Sequence, residues 1–208
     1  MHLTATPLTG THIILEPVTP AHREELRAAL DCDPENWAIQ SISAQGEHFE
    51  PYWRLMTEAP DALAFLVRDR ATGRAAGTSR FYAIDPAHRT LEIGYTWLRP
   101  EYRGTAVNPE AKLLMLGHAF GAGAERVAFA VSAANARSQA AMAKLGAVRE
   151  GVLRRHKITW TGFKRDTVVF SIIAEEWPAV RAGLEARLAA HAAPGEQAPW
   201  EQEPGSGL

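Results

Sequence analysis

After the apolar run that ends at Leu98 comes the loop RPEYRGTAVN, and Asn108-Pro109-Glu110 then opens a helix-forming stretch. A loop that enters a helix presents backbone N–H groups with no intrahelical acceptor, next to the positive end of the helix dipole. That chemistry suits a phosphate or pyrophosphate. Gly104, Thr105 and Ala106 allow close backbone approach, and Arg103 adds a cation. Just upstream, Glu92 is an acidic residue inside an otherwise apolar strand, Leu91–Leu98. Two other phosphate motifs are excluded. GxxxxGK[ST] does not occur, and Gly121-Ala122-Gly123 lacks a third glycine and follows a helix, so it reads as a helix end. A GxSxG nucleophile elbow is also absent.

Composition narrows the field further. The 208 residues carry 22 Lys and Arg against 24 Asp and Glu, a formal net charge of −2, which is a poor field for a nucleic-acid binder. A single cysteine, Cys32, allows neither an internal disulfide nor a multi-cysteine zinc site. It lies between Asp31 and Asp33, which disfavour its thiolate. The eight histidines are scattered with no i, i+4 pair, so no metal site is expected. No stretch approaches the roughly 20 apolar residues of a membrane span. The start, MHLTATPLTG, lacks a basic region followed by an apolar one, so no signal peptide is read. The expectation is a cytoplasmic protein without a membrane partner.

The elements that must position these residues follow from periodicity. Thr11–Val18 reads as a strand, and Thr19-Pro20 leads into a helix that Pro34 stops. Glu47–Glu58 is helical, with Phe49, Tyr52, Trp53 and Met56 on one face, a stripe best read as core. Ala62–Arg70 and Arg74–Ala83 read as strands around the turn Ala71-Thr72-Gly73. In Leu91–Leu98, the alternation puts Leu91, Ile93, Tyr95 and Trp97 on one face and Glu92, Gly94 and Thr96 on the other. A helix from Asn108 ends at the glycine cluster, then come strand Val127–Val131 and helix Arg137–Leu145, closed by Gly146. Ala147–Arg155 and Arg165–Ala174 are strands, and Glu175–His191 is the last helix. The order β-α-α-β-β-β-α-β-α-β-β-α implies a mixed α+β sheet: an antiparallel meander, then a crossover, with helices on both faces.

LEIGYTWLRPEYRGTAVNPEAK followed by NARSQAAMAKLGA resembles the two central motifs of the GNAT superfamily of acetyl-CoA-dependent N-acetyltransferases, most closely the ribosomal-protein-alanine (Rim-type) branch. The resemblance spans Thr11 to about His191 and implies a GNAT-like fold, with a mostly antiparallel sheet of about seven strands. It also implies acetyl-CoA as cosubstrate and no metal. The family's pyrophosphate loop, Q/R-x-x-G-x-G/A, falls on Arg103, Gly104, Thr105, Ala106, Val107 and Asn108. Ala106 stands where the pattern has its fourth-position Gly, and Asn108 where it ends in Gly or Ala. Alanine suffices as long as that position does not need a positive φ, and Asn108 is a competent helix cap. The resemblance puts the pantetheine arm against the backbone of Trp97 and Leu98. It further implies Asn135 beside that arm, Ser138 near the sulfur, and Lys144 within reach of a nucleotide phosphate.

Acetyl transfer to an amine needs a neutral amine, donors for the developing oxyanion and a proton for the leaving thiolate. Glu92 could take the amine's proton directly or through a water. Alternatively it is a structural carboxylate paired with Arg80 or Arg89. Backbone N–H groups around Tyr95–Trp97 could face the oxyanion if the strand splays near Gly94. Ser138 could donate to the thiolate, with Tyr95 as rival, or could simply stabilise its helix. Asn135 could be only that helix's N-cap. Arg154-Arg155-His156 reads as a solvated strand end rather than an acidic-substrate clamp.

The expected organisation is one acetyltransferase domain over residues 1–191 and a disordered tail over 192–208, whose Pro, Gly, Glu and Gln cannot bury enough surface to order it. The expected activity is transfer from acetyl-CoA, by direct attack in a ternary complex, to a primary amine of a small molecule or a protein N-terminus. The alternative is a non-catalytic acyl-CoA-binding or regulatory module. The sequence leaves the acceptor and the oligomeric state open, a homodimer included.

Overall fold

Runs of alternating apolar residues become the strands of one eight-stranded sheet in the computed structural model, which describes residues 1–38 and 40–192. The strands are β1 (Leu8–Thr9), β2 (Ile13–Pro17), β3 (Leu63–Asp69), β4 (Ala75–Asp85), β5 (Thr90–Leu98), β6 (Arg126–Ser132), β7 (Val148–Ile158) and β8 (Lys164–Ile173). They lie in the order β1-β2-β3-β4-β5-β6-β8-β7. All neighbours are antiparallel except β5 and β6, which run parallel as the expected crossover requires. The strand beyond the expected seven is β1, two residues that pair with Ile14 and Leu15 and carry no periodic signal of their own.

Two apolar clusters hold helices to the two faces. On one face α4 (Val107–Gly121), α5 (Ala136–Leu145) and α6 (Trp177–Ala192) bury Met115, Leu116, Met142 and Leu184 against Ile13, Phe65, Ile93 and Val127. On the other, α1 (Arg23–Leu30), α2 (Pro34–Ala38) and α3 (Phe49–Thr57) bury Leu26, Trp37, Phe49 and Tyr52 against Leu66 and Trp97. The Phe49 and Tyr52 side of α3 is thus core. Pro34 does more than stop α1: it opens the additional helix α2, a first-turn position where its missing N–H is harmless. Residues Gly46–His48 form a 3-10 turn, so α3 begins at Phe49, with the apolar stripe, rather than at the expected Glu47. The expected tail lies, from residue 193 on, outside the described residues.

One long-range tie fixes the crossover helix. Glu110, in the first turn of α4, is only 4% exposed. Its carboxylate accepts the backbone N–H groups of Thr11, His12 and Ile13 at 2.7, 2.7 and 2.8 Å. An acidic residue there also complements the helix dipole. The N-terminal strands are therefore anchored to the same helix end that opens the site.

Candidate functional site

The site begins as a fault in the sheet. β5 pairs with β6 only through Thr90, Leu91 and Glu92, opposite Arg126, Val127 and Ala128. Beyond Glu92 the strands part. On its other edge β5 stays paired with β4, but the register slips: Thr78 faces Trp97 and Arg80 faces Gly94, so Ser79 stands opposite both Tyr95 and Thr96. Tyr95 takes a φ of 50°. Such a bulge bends the strand and re-aims the side chains after it. The expected single face of Leu91, Ile93, Tyr95 and Trp97 is therefore corrected. Leu91 and Ile93 enter the α4–α6 core, whereas Trp97 and Tyr95 join the α1–α3 core.

The gap between β5 and β6 opens into a cleft of about 680 Å³. Trp97, Leu98, Arg103, Gly104, Thr105, Asn108, Asn135, Ser138 and Lys144 all line it. Gly104 has a φ of 79°, and a Cβ there would meet nothing within 4 Å, so the need for glycine is conformational. Ala106 has a φ of −62°, ordinary for any residue, so its departure from the family pattern carries no strain. Ala106 and Val107 are buried and do not wall the cleft.

Thr105 braces the loop, donating to the Tyr102 carbonyl at 2.8 Å and accepting from the Val107 N–H at 3.3 Å. Arg103 is committed within the chain: Nε donates to the Leu98 carbonyl at 2.9 Å, and the guanidinium pairs with Asp33. Its role in the loop is thus bracing as much as charge. Asn108 does not cap α4; Ala106 holds that position, because the helix starts one residue earlier, at Val107. Asn108 instead lies in the first turn, and its buried Oδ1 has no hydrogen-bond partner among the described residues.

Across the cleft, Asn135 is the N-cap of α5: its Oδ1 accepts the Ser138 N–H at 2.9 Å. The helix closes at Gly146, whose φ of 86° fits the expected C′ glycine. The Ser138 hydroxyl has no partner among the described residues. Lys144, Arg187 and His191 line the same cleft from α5 and α6, as does Arg137, which donates to the Asn36 Oδ1 at 3.0 Å.

Glu92 does not wall the cleft. It stands behind Tyr82, whose hydroxyl donates to its Oε2 at 2.5 Å. Burial, reinforced by the Glu92 charge, pushes the Tyr82 hydroxyl well above the usual tyrosine range. Neither arginine expected as a structural partner engages Glu92. Arg89 pairs with Glu125 at 2.6 Å, and Arg80 stacks its guanidinium 5.0 Å from the centre of the Tyr95 ring. Burial also raises Tyr52, to about 12; its hydroxyl and that of Thr78 lie 3.0 Å apart.

The structure adds residues that motif reading missed. Lys112 is buried in the cleft wall, donates to Thr96 Oγ1 at 2.9 Å, and is lowered by burial to about 8. Its position was readable: Asn108, Lys112 and Leu116 lie at four-residue spacings on one stripe of α4. Arg165, at the start of β8, and Lys157, near the end of β7, carried no comparable signal.

Comparison with known proteins agrees with this geometry. Residues 12–148 match the acetyltransferase (GNAT) domain. The uncharacterised N-acetyltransferase YoaA of Bacillus subtilis (strain 168) is 32% identical over 108 residues, 51% of this chain and 60% of YoaA. That match spans less than two thirds of the relative's own length. A GCN5-related N-acetyltransferase from Brucella melitensis superposes with a TM-score of 0.80 at 31% identity, over 89% of this chain and 86% of that one. RimJ of Mycobacterium smegmatis, solved in complex with CoA-disulfide, shares the fold at a TM-score of 0.72 and 22% identity, over 88% of this chain and 93% of that one. The splayed sheet and its loop thus define an acetyltransferase-type fold. The chain belongs to the GNAT family.

Proposed function

We propose that the chain transfers the acetyl group of acetyl-CoA to a primary amine, by direct attack in a ternary complex. The observation that carries this reading is the β5–β6 splay lying next to a loop whose Gly104 is held at positive φ before the N-terminus of α4. Unpaired strand edges suit the amide-bearing pantetheine arm, and the helix end suits the pyrophosphate. The cations Lys144 and Arg187 suit the remaining phosphate charge. No helix among the described residues is long and apolar enough to cross a membrane.

In this proposal the amine nitrogen attacks the acetyl carbonyl carbon; the C–N bond forms and the C–S bond breaks. The amine's proton passes to the Tyr82 hydroxyl as Tyr82 hands its own to Glu92. The thiolate takes a proton from a water that Ser138 holds, or from Ser138 as solvent returns a proton to it, and the proton left on Glu92 goes back through Tyr82 to solvent, so that the amine's proton is in balance with the one on the thiol. Backbone N–H groups at the Tyr95 bulge face the developing oxyanion. The acceptor class includes small-molecule amines and protein N-termini.

Calorimetry with acetyl-CoA in the presence of EDTA, paired with a thiol-release assay over an amine panel, tests the reading. Binding with thiol release supports it. Binding without release for any amine leaves a non-catalytic acyl-CoA-binding module. No binding at millimolar acetyl-CoA removes both.

A further inference from the structure

A side cavity of about 90 Å³ opens off the cleft at Gly94, Tyr95, Thr96 and Arg165. Tyr52, Tyr82 and Lys157 are among the residues that close it. Its charge is one-sided: Arg165 and Lys157 line it, and no carboxylate does. Arg165 is 7% exposed. It donates to the Ala130 carbonyl at 3.1 Å and to the Ser41 hydroxyl, both neutral acceptors, and its Nε has no partner among the described residues. Lys157 makes neither a hydrogen bond nor an ion pair through its side chain among the described residues. A third cation, Arg80, is 2% exposed, and its Nε and Nη1 also lack partners. Glu92, which accepts the Tyr82 hydroxyl, makes no ion pair with Arg165 or Lys157 among the described residues, and the carboxylate charge that acts on Arg80 comes from Asp61.

Holding the buried Arg165 beside the half-buried Lys157 with no carboxylate paired to either is unfavourable unless something else supplies the charge. Lys157 is held below the usual lysine range, first by desolvation and then by Arg165, with the Glu92 charge opposing only in part. The cavity is also bipolar. At the Tyr82–Glu92 side an amine can lose a proton, and at the Arg165–Lys157 side an anion can be held. The volume suits a group of a few atoms.

We propose that the acceptor is an amine that also carries a carboxylate, and that Arg165 and Lys157 hold this carboxylate while the amine faces Tyr82. The proposal rests on the acetyl-transfer reading and names the acceptor class for it. Polyamines and aminoglycosides, which bring only positive charge, are excluded by the same cations.

The test is thiol release at saturating acetyl-CoA, comparing free amino acids with their carboxamides, with diamines, and with peptides bearing an acidic residue at or next to a free N-terminus. Carboxylate-bearing amines are expected to turn over with kcat/KM about tenfold or more above the matched carboxamides, the range of a charge-assisted hydrogen bond. The free amino acids and the acidic peptides separate the two sources of that carboxylate. Arg165→Gln and Lys157→Met are each expected to raise KM for the carboxylate acceptor about tenfold. The carboxamide's KM should not follow, so the discrimination collapses. Because Arg165 also borders the main cleft, acetyl-CoA affinity is measured on each variant by calorimetry. A purely structural arginine would impair both acceptors alike, and that result overturns the proposal. So does turnover confined to diamines or neutral amines, or none with any carboxylate-bearing amine. Loss of acetyl-CoA binding by the unaltered protein marks instead a failure of the underlying reading.

Discussion

At the scale of single residues, the Tyr82–Glu92 bond sets how a proton can leave the site. Glu92→Gln keeps the shape and an oxygen for the Tyr82 hydroxyl but removes the base, so kcat with a competent amine is expected to fall about 10²-fold near neutrality. The loss should shrink at high pH, where the amine deprotonates unaided. A pH–rate profile checks this, and an unchanged kcat with a lowered Tm would make Glu92 structural. Lys112 offers a prediction with a definite sign. Its folded-state pKa, about 8, lies below the 10.5 of an exposed lysine. Between these values the unfolded chain binds more protons, so this group makes stability rise with pH; below about 8 its burial penalty is present in full. Lys112→Met is therefore expected to stabilise the fold by about 2 kcal/mol at pH 7. The gain should fade as pH rises through 8 toward 10. Thermal unfolding at both ends of that range reads it, and a lower Tm at pH 7 would mean the bond to Thr96 outweighs the desolvation.

At the scale of elements, the two helix starts around the cleft are built differently. The cap residue of α4, Ala106, has no side-chain acceptor; Thr105 takes the Val107 N–H and Pro109 has none, which leaves the Asn108 N–H as the first-turn donor for a ligand, whereas α5 is capped by Asn135. Asn135→Ala should lower stability by about 1 kcal/mol, the usual value of a lost N-cap, read by denaturant unfolding. If acetyl-CoA affinity stays unchanged in that variant, capping is its whole role. Gly104→Ala keeps the loop small but places a Cβ at a φ of 79°. The strain of about 1–2 kcal/mol should shift the loop and weaken acetyl-CoA binding about tenfold by calorimetry. Equal affinity would show that the loop does not carry the pyrophosphate.

At the scale of the whole molecule, the sheet faces two cores, and the cleft lies where neither closes. α6 completes the core on the α4 face, burying Val180 and Leu184, and carries Arg187 and His191 to the cleft. Truncation after Ala192 is expected to leave Tm nearly unchanged, because the residues beyond it are poor in apolar side chains. A large drop in Tm would show that Trp200 docks on the body.

What the sequence determined by itself was mostly local. The order of the elements other than β1 and α2, the loop before α4, the Asn135 cap and the Gly146 terminus were legible because each is written in neighbouring residues. Helix and strand periods, caps and glycine turns need no distant partner. The tertiary structure alone decided three things. One is the bulge at Tyr95, which turns Trp97 to the face opposite Leu91 and Ile93; it arises from a register slip against β4 and interrupts an alternation that looks regular in sequence. Another is the partner of Glu92, found ten positions upstream across a β4–β5 pair rather than in either arginine. The last is the cationic side cavity. Its tyrosines come from α3, β4 and β5, its lysine from β7 and its arginine from β8. Only strand order brings such residues together, and only burial strips water from Arg165, beside the half-buried Lys157, enough to make the missing paired carboxylate matter.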